Sequence, residues 1–179
     1  MSEYGVVTEA GTVRFERVLP GPIERVWPYL TESKERGKWL ASGEMDLRVG
    51  GRVELKFRHA DLSPHAEPTP DKYKKYEEGA SVYGRITRCD PPRLLSYTWD
   101  EDSGDDSEVT FELTPRDEDV LLVLTHRRIA DRATMVSVAS GWHTHLGILE
   151  DNLNGSEPRP FWSTQAQLEA EYERRLPAE

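Results

Sequence analysis

The chain has 179 residues, of which 36% are hydrophobic and 31% charged, and its formal net charge is −10. This is the length of one ordinary domain, which buries about 70% of the surface of its unfolded chain. The acidic balance argues against a nucleic-acid partner, which requires a basic face. No window approaches the ~18 apolar residues of a membrane span. Because Cys89 is the single cysteine and the amino terminus lacks a signal pattern, we expect a cytoplasmic location.

The amino-terminal third of the chain predicts one strand and two short helices. We expect residues 1–11 to be flexible. Side chains alternate over 13–19, which predicts the first strand. Pro22 suits the first turn of a helix, and the apolar residues after it recur at helical spacing. A second short helix is predicted over 33–40, with Ser33 as its N-cap.

The middle of the chain predicts a meander of strands. Gly50-Gly51 indicates a hairpin between the segments EMDLRV and RVELKFRH. From Gly79 to His126, Pro91-Pro92 and two acidic turns separate four further strands. Both phases of the last of these are apolar, which predicts a strand inside the sheet that is covered on both faces.

Residues 60–79 interrupt this pattern. They contain three prolines and have no strong periodicity, and about 20 residues is long for a loop in a compact domain. Loops of this kind are often lids or binding elements and equally often only flexible, so 60–79 is a candidate lid.

A long helix is predicted over 133–154, followed by a charged helix over 164–176 that we expect to pack only loosely. The apolar residues of the long helix fall within one arc of about 80°. They are Met135, Val138, Trp142, Leu146, Leu149 and Leu153. These elements predict one domain over 12–155 and a charged helix or tail over 156–179.

The order of several segments carries a resemblance to a known family. They are VLPGPIERVWPYLTESKERGKWL, MDLRVGGRVELKF, VYGRITRCDPPRLLSYTW, VTFELTP, VLTH and GWHTHLGILEDNL. Together they resemble the START-like (SRPBCC) superfamily, and within it the Aha-type branch, the domain named for the activator of the heat-shock protein 90 ATPase. The resemblance covers roughly 13–154. It implies an α+β helix-grip fold, in which a curved antiparallel sheet wraps around a long C-terminal helix, with two short helices after the first strand.

The resemblance also implies a deep, mainly apolar cavity between the sheet and the long helix. Trp142 and Trp99 are the main candidates for its lining, although core packing also explains buried aromatic residues. His59, His126 and His145 are candidates for a polar spot that orients a ligand, and the alternative for them is a structural role. For His145 this alternative is a hydrogen bond to a backbone carbonyl. The candidate ligand-binding residues are Phe57, His59, Tyr83, Trp99, Phe111, His126, Trp142, His145, Leu146 and Leu149.

No motif predicts a cofactor, a metal site or a catalytic residue. His143 and His145 are two positions apart on the predicted helix and cannot share one metal ion. The acidic turn 100–108 misses the ligand positions of an EF-hand. No nucleophile elbow, phosphate loop or dinucleotide fingerprint is present.

Three functions stay open, and the first is preferred. It is a carrier, sequestering or sensing protein for a lipophilic small molecule. The second is an enzyme in which His145 or His59 acts as acid or base and Arg17 stabilises an enolate. The third is a module resembling the Hsp90 activator that binds a protein partner through an exposed apolar patch. A monomer and a weak dimer are both compatible with the sequence.

Overall fold

The computed structural model describes residues 4–65, 67–101 and 106–176. Its sheet has seven antiparallel strands in the order β1-β2-β7-β6-β5-β4-β3 and is open. The strands are β1 Val6–Glu9, β2 Thr12–Pro20, β3 Arg52–Phe57, β4 Ala80–Asp90, β5 Leu94–Thr98, β6 Glu108–Arg116 and β7 Asp119–Arg127.

Four α-helices accompany the sheet. They are α1 Ile23–Thr31, α2 Ser33–Arg36, α3 Arg132–Leu153 and α4 Phe161–Arg175, and two 3-10 helices cover His59–Leu62 and Asp71–Tyr76. The two short helices α1 and α2 lie between β2 and β3, and α3 packs against the inward-facing side chains of the sheet. The α+β helix-grip fold is therefore confirmed.

The core follows the alternation of the strands. Inward-facing Phe111 of β6 and Leu122 and Leu124 of β7 are each 1% exposed or less. On the opposite face of β7, Leu121 and Val123 are only half-buried. The expected position of β7 inside the sheet is correct, since it pairs with both β2 and β6, but the expected cover on both faces is wrong.

The amino-terminal segment differs from the expected flexible segment 1–11. Val6–Glu9 forms β1 and pairs with β2 through a turn in which Gly11 has a φ of +77°, a conformation that suits glycine. The backbone N–H of Gly5 donates to the Tyr172 hydroxyl at 2.7 Å. Residues 1–3 lie outside the described residues.

The segment before β3 is not the regular strand predicted for EMDLRV. It makes only isolated bridges, Ser42 with Lys56 and Met45 with Val53. Ser33 is also not an N-cap, since its hydroxyl accepts from the N–H of Gly43 at 2.9 Å. The side chain predicted to cap the start of a helix therefore fastens this irregular segment instead.

The last helix does not pack loosely. In α4, Phe161, Gln165 and Tyr172 are buried, and the helix covers the side of α3 that faces away from the sheet. As a result α3 is buried around most of its circumference and not along one arc.

Candidate functional site

A pocket of about 170 Å³ lies between the sheet and α3. Five of the ten candidate residues line it: Phe57, Trp99, His126, Trp142 and His145. Leu40, Ser137, Val138 and Gly141 complete the lining. Contact of these residues with a ligand stays a prediction.

Three aromatic side chains from three elements form one wall. Phe57 ends β3, Trp99 follows β5, and Trp142 lies in the middle of α3. The Trp99 ring centroid is 6.0 Å from that of Phe57 and 5.1 Å from that of Trp142. Because these rings occupy much of the space between sheet and helix, the pocket is small compared with the deep cavity that the resemblance implied.

His126 lies near the end of β7 and is 1% exposed. Its Nδ1 accepts a hydrogen bond of 3.0 Å from the Trp142 indole N–H, whereas its buried Nε2 has no partner among the described residues. Burial lowers the pKa of His126 from the ordinary 6.5 to about 3. The ring is therefore neutral at physiological pH.

His145 lies one helical turn after Trp142 and bonds the backbone, as in the alternative considered for it. Its Nδ1 is 2.8 Å from the carbonyl oxygen of Trp39. Burial, and to a smaller extent nearby His59, lowers the pKa of His145 to about 3. The second pocket histidine is therefore also neutral.

His59 does not line the pocket. Its ring stacks on Phe161 at 4.4 Å and lies 6.0 Å from the ring of His145. Burial lowers its pKa to about 4. The three histidines therefore do not form one polar spot. His126 contacts Trp99 and Trp142, whereas His59 contacts Phe161 at the start of α4.

The other four candidates lie elsewhere. Phe111, Leu146 and Leu149 are core residues no more than 1% exposed, and the Phe111 ring is 5.7 Å from that of Trp142, behind the pocket wall. Tyr83 lies on the outer face of the sheet, where the Arg52 guanidinium is 4.8 Å from its ring. Its phase on β4 is opposite to that of buried Ile86, so Tyr83 does not reach the pocket.

Arg17, the residue considered for an enolate, is directed inward but does not reach the pocket. It is 5% exposed, and its Nε lies 3.2 Å from Oε1 of Glu150 on α3. Its Nη1 donates to the carbonyl of Glu16. These contacts give Arg17 a structural position between β2 and α3.

Arg36 holds the backbone beside the pocket, and the sequence did not indicate this role. Its fully buried guanidinium donates to the carbonyls of Thr31 and Ala41 at 3.0 Å and to that of Gly43. Those bonds fix the turn that carries Trp39 and Leu40, so they also fix the carbonyl that His145 contacts. An arginine in a short polar helix gives no sequence signal of burial.

Leu40 and Phe57 separate the pocket from a surface groove of about 420 Å³, which they also line. Asp61, Leu62, Glu78 and Gly79, from the two ends of the segment 60–79, line this groove as well. The middle of the segment contacts α4, where Lys72 and the Tyr73 hydroxyl bond Glu169. None of its described residues lines the inner pocket.

Comparison with known proteins identifies the family. The family model described as Activator of Hsp90 ATPase homolog 1-like protein matches residues 20–154. The chain belongs to this family. Three solved structures illustrate how widely its fold is shared, and no curated protein matches the chain.

The first of these is an NMR structure of a protein from Bordetella parapertussis. It is 46% identical, with a TM-score of 0.82, and the match covers 99% of this chain and 93% of that one. CalU16 from Micromonospora echinospora is 23% identical with a TM-score of 0.67, covering 91% and 86%. A conserved protein of unknown function from Enterococcus faecalis is 21% identical with a TM-score of 0.64, covering 93% and 86%. The last two share the fold alone.

The described residues contain no helix that is both long and apolar enough to cross a bilayer. They also contain no group of three or more His, Cys, Asp or Glu side chains arranged to hold a metal ion.

Proposed function

We propose that this Aha-type domain binds a small uncharged aromatic molecule in the pocket between the sheet and α3, as a carrier, sequestering or sensing protein. The observation that carries this proposal is the wall of Phe57, Trp99 and Trp142 beside the unpartnered Nε2 of His126. Ligand sites typically combine apolar and aromatic lining with a few polar groups in this way.

The volume limits the size of the ligand. A cavity of about 150 Å³ holds benzene, and this pocket measures about 170 Å³. Drug-sized ligands occupy pockets of roughly 300–1,000 Å³. A single aromatic ring therefore fits, and a fatty acid or sterol requires Leu40 and Phe57 to move so that the pocket joins the neighbouring groove.

The alternatives have less support. Burial lowers the pKa of His145 to about 3 and that of His59 to about 4, so both are weak bases near pH 7 and neither is protonated to act as an acid. Arg17, considered for an enolate, contacts Glu150 and does not line the pocket. Among the described residues, the exposed large apolar side chains are spread over several elements, which gives little support to a patch for a protein partner. They are Val6, Val18, Leu47, Val49 and Tyr76.

Gly141 provides the decisive variant. It lines the pocket within α3, and a Cβ at this position meets no atom within 4 Å. Gly141→Leu places a side chain in the pocket and also replaces glycine by a better helix former. The test is a proton–nitrogen NMR titration with ethylbenzene. We expect shifts at the indoles of Trp99 and Trp142 in the unmodified protein and no binding to Gly141→Leu.

Tyr83→Phe is the matched control, because Tyr83 lies on the outer face of the sheet. It should bind ethylbenzene as the unmodified protein does. Equal binding by Gly141→Leu would place the ligand elsewhere. An unchanged spectrum of the unmodified protein with ethylbenzene and with larger lipophiles would overturn the proposal.

A further inference from the structure

The hydrogen bond from Trp142 fixes the tautomer of His126. An indole N–H can only donate, so the Nδ1 atom that accepts it at 3.0 Å carries a lone pair. In the neutral ring the proton then lies on Nε2. This buried Nε2–H has no acceptor among the described residues.

The backbone fixes the tautomer of His145 in the opposite sense. A carbonyl oxygen can only accept, so the Nδ1 atom 2.8 Å from the Trp39 oxygen carries the proton. The Nε2 atom of the neutral His145 ring is therefore an acceptor. Burial, which lowers the pKa of both histidines to about 3, keeps both tautomers uncharged.

The aromatic wall connects these two groups. His126 lies 5.8 Å from the Trp99 ring, and His145 lies 6.1 Å from the Phe57 ring at the other end of the wall. Both histidines line the pocket. The two histidines among the lining residues thus carry one donor and one acceptor, and Ser137 adds a hydroxyl. No charged side chain lines the pocket to balance an ion.

We infer that the ligand is a neutral phenolic carbonyl compound with one aromatic ring, whose carbonyl oxygen accepts from His126 Nε2–H and whose hydroxyl donates to His145 Nε2. This inference rests on the proposed function and names the chemical class of its ligand. A buried donor without a partner is unfavourable, and a ligand oxygen removes that penalty. A carboxylate would lose its hydration in this pocket without gaining a counter-charge.

The first test compares three ligands with the unmodified protein at pH 7. 4-Hydroxyacetophenone carries both polar groups, ethylbenzene carries neither, and 4-hydroxybenzoate carries a charge. We expect 4-hydroxyacetophenone to bind about tenfold more tightly than ethylbenzene, from one net hydrogen bond or slightly more. 4-Hydroxybenzoate should bind more weakly than 4-hydroxyacetophenone.

The second test uses His126→Phe, which removes the donor and keeps an aromatic ring. This variant should no longer prefer 4-hydroxyacetophenone to ethylbenzene. A preference that survives in His126→Phe would overturn the assignment of His126 as the donor.

A third measurement needs neither a ligand nor a variant. Long-range proton–nitrogen correlation spectra distinguish the protonated from the unprotonated nitrogen of each imidazole. We expect the proton on Nε2 of His126 and on Nδ1 of His145. The reverse tautomer at either residue would overturn the inference.

The outcomes separate the two proposals. If ethylbenzene and 4-hydroxyacetophenone bind equally well and Gly141→Leu blocks both, the pocket function stands and the phenolic carbonyl class is wrong. If neither binds to the unmodified protein, the pocket function itself fails, together with the ligand class, even where the tautomers agree.

Discussion

The helix α3 is buried on two sides, and these sides differ in how completely their polar groups are paired. Toward α4, Ser140, Thr144 and His143 all contact side chains of that helix. Toward the sheet, His126 packs on Trp142 with one ring nitrogen unpaired. The side of α3 toward α4 therefore carries a network of side-chain hydrogen bonds, whereas the side toward the sheet faces a His126 nitrogen that has no partner among the described residues.

The α4 side is a closed network. Gln165 donates to the hydroxyl of Ser140 at 3.1 Å and accepts from that of Thr144 at 2.9 Å. The Tyr172 hydroxyl accepts from the N–H of Gly5 at 2.7 Å and is hydrogen-bonded to Nδ1 of His143 at 2.8 Å. Networks in which each member is satisfied rigidify and specify packing.

The pocket side lacks such a network. His126, whose Nε2 is unpaired, lines the same pocket as Gly141, where a Cβ meets no neighbour. Nδ1 of His59, which stacks on Phe161 of α4, is also buried and has no partner among the described residues. Buried polar groups in native proteins are usually paired, so an unpaired one beside a pocket indicates a site for a ligand or water. We therefore propose that the α4 side holds the fold together and that the pocket side is the ligand site.

Breaking the closed network should have the largest effect. Tyr172 is fully buried, and Tyr172→Ala should lower the free energy of unfolding by about 3–5 kcal/mol, as truncation of a buried aromatic residue does. Urea unfolding followed by tryptophan fluorescence measures this change.

Tyr172→Phe is the control for the ring itself. It removes only the hydroxyl between Gly5 and His143, so the loss should be about 1–3 kcal/mol. A loss under about 0.5 kcal/mol for Tyr172→Ala would contradict the structural role of the α4 side.

Lowering the pH should reduce the free energy of unfolding through both sides of α3, because burial holds histidines on each side in the neutral form. The ordinary pKa of histidine is 6.5. Burial is the main cause that lowers it in the folded protein, to about 3 for His126 and about 4 for His143. Below pH 6.5 the unfolded chain therefore binds more protons than the folded one. Stability is complete above pH 6.5 and falls as the pH drops toward these lower values, by up to about 1.4 kcal/mol per pH unit for each histidine.

Urea unfolding at pH 7 and pH 5 checks this sign. His126→Phe removes one of the titrating groups, so its free energy of unfolding should fall less between the two pH values than that of the unmodified protein. An equal or larger fall in the variant would contradict a neutral, buried His126.

Filling the open space should have the smallest effect, and a favourable one. Gly141→Ala should raise the free energy of unfolding by about 1 kcal/mol, because alanine favours the helix and meets no atom here. Gly147→Ala in the same helix is the control, since its Cβ would lie 2.6 Å from the Arg159 guanidinium, which must then move. A loss of stability in Gly141→Ala, or a larger gain in Gly147→Ala, would contradict the open space.

Much of the fold could be predicted because local periodicity reports burial. The alternation in β3 places Val53 and Leu55 inward, and the apolar spacing of the long helix places Trp142 and Leu149 in the core. The same periodicity failed in the segment before β3, where backbone bonds and the side chain of Ser33 hold an irregular conformation.

The site was predicted less completely, for reasons that no local pattern contains. Tyr83 was assigned to the pocket by its aromatic character, but its phase on β4 directs it outward. Gly141 and Ser137 line the pocket because they are small and leave space beside α3, which hydrophobic patterning does not detect. Arg36 is buried because three backbone carbonyls converge on it, two of them from residues that follow it in the chain.

The sequence by itself determined the strands along the chain and the long helix, because these depend on neighbours within a few residues. It also determined the family, because the resemblance lies in the order of these segments. The tertiary structure alone decided that α4 covers α3, that five aromatic and histidine side chains meet at one small pocket, and which nitrogen of each pocket histidine is bonded. These properties depend on contacts between distant segments. The partner of His145 is the carbonyl of Trp39, 106 positions earlier in the chain.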